Sequence, residues 1–127
     1  MEEATDEMTV GRERNRGSRR TVREQDHVLS EVLRRVVAAY EPDRVYLFGS
    51  RARGEQGPDS DYDLMVVVPE TAPPERRRSR LAYEALWGLG TAVDVLVRTS
   101  DQFDRALHLK ASLPATIARE GVLLYGK

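Results

Sequence analysis

An uninterrupted apolar run at residues 64–68 (LMVVV) restricts the fold of this chain more than any other feature. It is too short to span a bilayer as a helix, which takes about 20 residues, and Pro69 ends it. A short valine-rich run between polar segments is typical of a β-strand that is covered on both faces. We therefore predict a strand over residues 61–68 whose apolar end is buried on both faces.

The length and composition fit one globular domain around such a strand. The chain has 127 residues, of which 40% are apolar and 32% charged, a balance that argues against wholesale disorder. The lack of cysteine excludes disulfides, thiolate metal sites and cysteine nucleophiles. Only two histidines are present, which argues against a histidine-built metal site. Any metal is therefore expected on carboxylate oxygens, as Mg²⁺ prefers. With no transmembrane or signal segment in the sequence, we expect a cytoplasmic protein without membrane association.

The other elements follow from apolar spacing. We predict helices over residues 21–40, 75–89, 99–109 and 114–121, and further strands over residues 44–48, 92–97 and 122–125. Thr21 with Glu24 and Thr99 with Gln102 have the spacing of capping boxes. The order of elements predicts an α+β (α/β layered) fold, a small mixed β-sheet with helices on one side.

The first 20 residues show no apolar periodicity, so the domain is predicted to span residues 21–127. Acidic residues come first in this tail and arginines follow. A disordered extension and a basic arm that touches a partner or nucleic acid both fit this composition. The net charge of the chain is −1, so direct nucleic-acid binding is not expected of the domain.

Two aspartates open the strand at residues 61–68. Because strand side chains alternate, Asp61 and Asp63 point the same way, about 7 Å apart. Such carboxylates repel each other unless a cation lies between them, and Mg²⁺ bound by carboxylates and substrate phosphates is a common solution. Asp94 lies in a strand whose apolar neighbours predict burial. If the two strands are adjacent, the three acids can hold two metal ions about 4 Å apart, as phosphoryl transfer requires.

Simpler interpretations exist for each acid. The Asp-x-Asp pair follows a loop with glycine and proline, where aspartates also stabilise turns. Asp94 alone would serve as the ion-pair partner of an arginine, because an unpaired buried carboxylate is costly. The acids by themselves leave these alternatives open.

Gly49 and Ser50 favour the phosphate chemistry. A glycine directly after the strand at residues 44–48 lets backbone amides approach a phosphate closely, and a helical turn after it would aim its dipole at the anion. The Ser50 hydroxyl can donate a further hydrogen bond, and Arg51 and Arg53 can neutralise phosphate charge. A Gly-Ser pair before Asp-x-Asp and a third strand-borne aspartate is a specific combination.

The helix at residues 75–89 carries two further candidates. Its first turns hold Arg76, Arg77, Arg78 and Arg80, which could bind phosphate or an acidic partner, although a solvated helix face is the expected role. Tyr83 and Trp87 could stack on a base, but we expect both in the core because they lie in a helix whose apolar stripe is core.

Residues 49–54 (GSRARG), 60–64 (SDYDL) and 93–95 (VDV) together resemble the motifs of the DNA polymerase beta-like nucleotidyltransferase superfamily, and more narrowly its minimal nucleotidyltransferase (MNT) branch. The resemblance covers roughly residues 22–125. It implies a mixed sheet flanked by helices, with the site at one end of the sheet. It also implies ATP as substrate, two Mg²⁺ ions as cofactors, and pyrophosphate as one product.

The resemblance also implies a role for each motif residue. Asp61 and Asp63 would hold magnesium and the nucleotide triphosphate. Asp94 would help to bind the second metal ion and activate the attacking hydroxyl. Gly49 and Ser50 would hold the β- and γ-phosphates.

Many MNT members are encoded beside a HEPN-domain protein, as antitoxin and toxin. The resemblance therefore implies AMP transfer to a hydroxyl of a HEPN RNase toxin, in a complex of the two proteins. The chain lacks the second domain with which larger family members grip their acceptors, which favours a partner protein. The alternatives are a small-molecule (antibiotic-type) nucleotidyltransferase, a catalytically inactive steric antitoxin, and a nucleic-acid-binding accessory protein.

Overall fold

The computed structural model describes residues 27–55 and 61–127. The predicted tail at residues 1–20, the capping box of Thr21 and Glu24, and the predicted loop at residues 57–60 lie outside the described residues. Among the helices that are described, none is long and apolar enough to cross a membrane.

Helices and strands follow one another in nearly the predicted order. Their bounds are α1 (His27–Tyr40), β1 (Arg44–Phe48), α2 (Ser50–Arg53), β2 (Tyr62–Val68), a 3₁₀ helix (Pro74–Arg77), α3 (Arg80–Ala85), β3 (Val93–Thr99), α4 (Ser100–Arg105), α5 (Leu113–Glu120) and β4 (Val122–Tyr125). All four predicted strands are therefore present, and the predicted α+β fold with a small mixed sheet is confirmed.

The four strands form one sheet in the order β3-β2-β1-β4. β1 pairs antiparallel with β2 and with β4, whereas β2 and β3 are parallel. Phe48 at the carboxyl end of β1 is paired with Asp63 of β2, and Asp63 is paired with Asp94 of β3. The end of β1 and the beginnings of β2 and β3 thus meet at one end of the sheet, which we call the acidic end.

Helices cover both faces of the sheet. On one face, Leu64 and Val66 of β2 join a core cluster with residues of α1 and α3. On the other face, Met65 packs with Phe103 of α4 and Ile117 of α5. The expectation of helices on one side was wrong, and the apolar run explains why. Consecutive apolar residues of a strand point alternately to its two faces, so both faces need a cover.

The segment between β2 and β3 is held down by α1. The α1 stripe that includes Leu29, Val32, Val36 and Tyr40 is fully buried, as its spacing predicts. The Tyr40 hydroxyl donates a 2.6 Å hydrogen bond to the carbonyl of Arg78, and burial raises the pKa of Tyr40 to about 12. These contacts fix where α3 begins.

The predicted helix at residues 75–89 is in fact two short helices. A 3₁₀ turn comes first, and the Arg77 guanidinium bonds back to the carbonyls of Ala72 and Glu70 instead of facing solvent alone. α3 ends at Ala85, and Gly88 and Gly90 both adopt positive φ. Two glycines in this conformation stop a helix, so the last predicted turn does not form.

The second predicted capping box is confirmed. The Thr99 side chain accepts a hydrogen bond from the amide of Gln102, and the Gln102 side chain accepts one from the amide of Thr99. The helix that follows stops at Arg105, earlier than predicted. Pro114 lies in the first turn of α5, as predicted.

Candidate active site

The sheet brings the three predicted acids to its acidic end. Asp63 and Asp94 are paired on adjacent parallel strands, which lie about 4.8 Å apart. Asp61 comes immediately before β2, and by the strand alternation its side chain shares the face of Asp63. The adjacency of the two strands, which the three-acid site required, is therefore confirmed.

These acids repel each other. The pKa of Asp63 is raised, first by burial and then by the negative charges of Asp94 and Asp61, while Arg53 acts in the opposite sense. Among the described residues, none of the three acids forms a salt bridge. The ion-pair interpretation of Asp94 therefore has no support in the described part of the chain.

Asp94 is exposed and not buried as its neighbours predicted. β3 is one of the two edge strands of the sheet, and Asp94 is the second residue of that strand. Its apolar neighbours Val93 and Val95 belong to the face under α1 and α3, whereas Asp94 points to the other face. Exposure leaves this carboxylate accessible to a substrate.

Gly49 forms the tightest contact of the site. Its φ is +79°, and a Cβ atom placed there would overlap the Asp63 carboxylate. The Gly49 carbonyl accepts hydrogen bonds from the amides of Ala52 at 3.1 Å and Arg53 at 3.3 Å, which starts the single turn of α2. Only glycine combines this conformation with this close approach of backbone to a carboxylate.

The two arginines of the motif lie in different surroundings. Arg51 places its guanidinium carbon 4.0 Å from the ring centroid of Tyr62, so it stacks on the residue between Asp61 and Asp63. Arg53 forms a 2.9 Å ion pair with Glu55 and lines a cavity of about 190 Å³ beside Gly49. Arg53 therefore adjoins both the glycine turn and the carboxylate of Asp63.

The acids suit Mg²⁺ when a substrate completes its ligands. The described residues contain no group of three or more His, Asp or Glu side chains arranged to hold a metal ion by itself. The donors are carboxylates, and burial followed by their mutual repulsion raises the pKa of Asp63. Mg²⁺ commonly binds through one or two carboxylates, several waters and substrate phosphates. The residues therefore fit such an ion.

A second, larger groove begins at the acids and runs along β3. Its volume is about 690 Å³, and Asp61 and Asp94 are among its lining residues. Tyr83 and Trp87 also line it, and they are 80% and 82% exposed. The expectation that both aromatic side chains are in the core was wrong. The glycines on either side of Leu89 were the available sequence signal, because they end the helix on which that expectation rested.

The arginines at residues 76–80 have mixed roles. Arg76 forms a 2.9 Å ion pair with Glu41, and Arg77 is bound to backbone carbonyls. Arg77, Arg78 and Arg80 are exposed. The predicted solvated face thus describes three of the four, although the hydrogen bonds of Arg77 also fasten the 3₁₀ turn.

The short mixed sheet thus carries a glycine turn and three acids at one end, on the fold that the motifs predicted. The profile of the family described as "Nucleotidyltransferase domain" matches residues 29–123. The chain therefore belongs to the nucleotidyltransferase domain family. A comparison with curated proteins found no match.

Two solved structures share this fold. A protein from Sulfolobus solfataricus assigned as a nucleotidyltransferase superposes with a TM-score of 0.53 at 22% identity, over 93% of each chain. A toxin-antitoxin structure with AMP-PNP superposes with a TM-score of 0.51 at 22% identity, over 77% of this chain and 73% of that one. These likenesses support the polymerase beta-like nucleotidyltransferase fold that the motifs predicted.

Proposed function

We propose that this protein is a Mg²⁺-dependent nucleotidyltransferase that moves AMP from ATP to a hydroxyl of a partner protein. We further propose that the partner is a HEPN-type toxin and that the transfer makes this chain its antitoxin. The observation that carries the catalytic part is the meeting of Gly49, Asp61, Asp63 and Asp94 at one end of the sheet.

The glycine turn and the acids would bind different parts of the substrate. The backbone of Gly49 and Ser50, with the Ser50 hydroxyl, holds the β- and γ-phosphates, and Arg53 neutralises part of their charge. Asp61 and Asp63 hold Mg²⁺ and the triphosphate. Arg51 stacks on Tyr62, the residue between the two acids, and so helps to hold this part of the chain in place.

The transfer itself exchanges one bond to phosphorus for another. The acceptor oxygen forms a bond to the α-phosphorus, and the bond from that phosphorus to the bridging α–β oxygen breaks. Pyrophosphate leaves with the bonding electrons, and the hydroxyl proton passes to the Asp94 carboxylate. When bound, Mg²⁺ supplies positive charge for the attacking and leaving oxygens.

The toxin-antitoxin part of the proposal rests on different support. The solved structure with AMP-PNP is of a toxin-antitoxin and shares the fold of this chain. The MNT-type motifs point to the same role. A partner protein then supplies the acceptor hydroxyl, and the two proteins form a hetero-oligomer.

The test is to incubate the full chain with Mg²⁺, α-phosphate-labelled ATP and a lysate of the source organism. We expect label to enter one protein band. The variant Asp61→Asn/Asp63→Asn should reduce that label at least about 10³-fold, since it removes the metal-binding carboxylates. The variant Asp101→Asn/Asp104→Asn, with the same charge change in α4, is the matched control and should keep the label.

Each other outcome points to an alternative. Label in small molecules instead of protein would indicate an antibiotic-type nucleotidyltransferase. If no nucleotide labels anything, even with the protein encoded beside this chain added, the catalytic proposal is wrong. A steric binding protein would then be the better account.

A further inference from the structure

Two aromatic side chains stand almost fully in solvent beside the acids. Tyr83 and Trp87 line the groove along β3 and are at least four-fifths exposed. Leu86 and Leu96, both partly buried, line the same groove. Exposed apolar surface of this kind commonly marks an interaction site. We call the whole groove along β3, whose apolar surface includes Tyr83, Leu86, Trp87 and Leu96, the edge groove.

The order of strands determines where the edge groove lies in the reaction. At the acidic end, Gly49 follows β1, Asp63 is on β2 and Asp94 is on the edge strand β3. The edge groove comes next and contains Asp94 in its wall. Across the sheet, the order is therefore the glycine turn, the acids and then the outer edge of β3. The edge groove reaches both sides of that edge, because Val95 faces α3 whereas Asp94 and Leu96 face the opposite side, and all three line it.

Phosphoryl transfer requires the attacking and leaving oxygens to lie roughly in line. Under the proposed function, pyrophosphate leaves over the glycine turn at Gly49 and Ser50. The attacking oxygen must then arrive from the opposite direction, across β3. The edge groove occupies that side of the site.

The charges on the two sides agree with this assignment. Among residues 27–55 and 61–127, those that line the edge groove include two acids, Asp61 and Asp94, and no arginine, lysine or histidine. The cavity beside the glycine turn instead includes Arg53. A triphosphate fits the side with the cation, and an uncharged apolar group fits the side without one.

The size and openness of the edge groove favour a polypeptide over a small molecule. Small-molecule sites enclose most of their ligand's surface, whereas here the two rings stand out from the protein. Tyrosine and tryptophan are also the side chains that most often dominate binding at protein–protein interfaces. A partner's apolar segment can cover both rings at once.

We propose that the edge groove docks an apolar segment of the acceptor polypeptide and presents its hydroxyl to Asp94. This inference rests on the proposed function, because it assigns the acceptor side of that same site. It assigns Tyr83 and Trp87 to acceptor binding, and nucleotide binding to the side of Gly49.

The first experiment uses Trp87, the one tryptophan of the chain, as a fluorescent reporter. The probes are Mg²⁺ with a non-hydrolysable ATP analogue, and a panel of short apolar peptides that each carry one tyrosine, serine or threonine. We expect peptides to shift Trp87 emission to shorter wavelength and the ATP analogue to leave it unchanged. Quenching by the analogue would place the base on Trp87 and overturn the inference, as would a panel in which no peptide binds.

The second experiment replaces the rings. Tyr83→Ala/Trp87→Ala should raise the KM for a bound peptide, or for the protein labelled from lysate, by about tenfold or more. The affinity for Mg²⁺-ATP and the kcat should remain near wild type. Tyr125→Ala, an exposed aromatic residue at the opposite edge of the sheet, is the matched control and should change neither.

The two proposals can fail separately. Peptide binding does not need catalysis, so it can be measured in the Asp61→Asn/Asp63→Asn variant. The Tyr83→Ala/Trp87→Ala variant has lost the tryptophan reporter, so its binding is measured by the fluorescence polarisation of a labelled, tyrosine-free peptide. If binding persists after both rings are removed, the docking inference is wrong even when transfer is intact. If binding depends on the rings but no transfer occurs, the docking surface stands and the catalytic proposal fails.

Discussion

The two ends of the sheet treat charge in opposite ways. At the end away from the acids, Arg44 forms a 2.9 Å ion pair with Asp104 and lies over the ring of Phe103. Thr99 and Gln102 close a reciprocal cap there. At the acidic end, by contrast, burial and then the like charges of Asp94 and Asp61 raise the pKa of Asp63. The end with Arg44 and Thr99 pairs its polar groups, which supports stability. The acidic end keeps like charges close together, and a bound cation with its substrate would reduce their repulsion.

Among the variants that compare the two ends of the sheet, Gly49→Ala is expected to have the largest effect. The added methyl group would overlap the Asp63 carboxylate, so the acid or the turn must move, and we expect AMP transfer to fall about 10²-fold or more. Label transfer and Mg²⁺-ATP affinity are the measurements. Gly54→Ala is the matched control, because Gly54 also has positive φ but an added Cβ meets no atom within 4 Å. Equal losses in both variants would show that backbone strain alone matters.

At the other end, Thr99→Ala should affect stability and leave transfer unchanged. Thr99 is buried and caps α4, and loss of an N-cap hydroxyl costs about 1 kcal/mol. Urea denaturation measures the change, and Thr99→Ser should restore most of it. Weaker binding of Mg²⁺-ATP to folded Thr99→Ala would contradict the separation of the two ends, because it would couple this cap to the acids.

The sequence predicted the acidic end better than its surroundings. Strand alternation placed Asp61 and Asp63 together, and the valine-rich run marked β2 as a strand that is buried on both faces. These inferences depend on a short-range period that the backbone imposes on every strand. The pairing of Asp63 with Asp94 needed one further assumption, that β3 lies beside β2, and the structure supplied it.

Exposure was harder to predict than secondary structure. Val93 and Val95 suggested that Asp94 was buried, yet they face one side of an edge strand and Asp94 faces the other. Tyr83 and Trp87 were assigned to the core because a single long helix was assumed. Burial depends on which elements pack where, and apolar spacing in one segment does not specify that. The contacts of Arg51 with Tyr62 and of Arg53 with Glu55 were also not predicted from the sequence, because they depend on how the folded chain places these side chains.

The smallest expected effect is a pH dependence of stability at the acidic end, in the absence of metal. The pKa of Asp63 lies above its ordinary value of 3.8 because of burial and then the neighbouring acids. Between the unfolded and the folded pKa, the native protein binds more protons than the unfolded chain. The contribution of Asp63 to stability therefore falls as pH rises through that window.

Asp63→Asn has no such proton to lose, so its melting temperature should exceed that of wild type slightly at neutral pH and converge with it in acid. Thermal melts of the two proteins in a chelator across this range measure the difference. Mg²⁺ with a non-hydrolysable ATP analogue should reverse the order, because it binds and stabilises only the protein that keeps the carboxylate. If the melting temperatures of the two proteins differed by the same amount at every pH, the ionisation of Asp63 would not affect stability. The contrast between the two ends of the sheet would then be wrong.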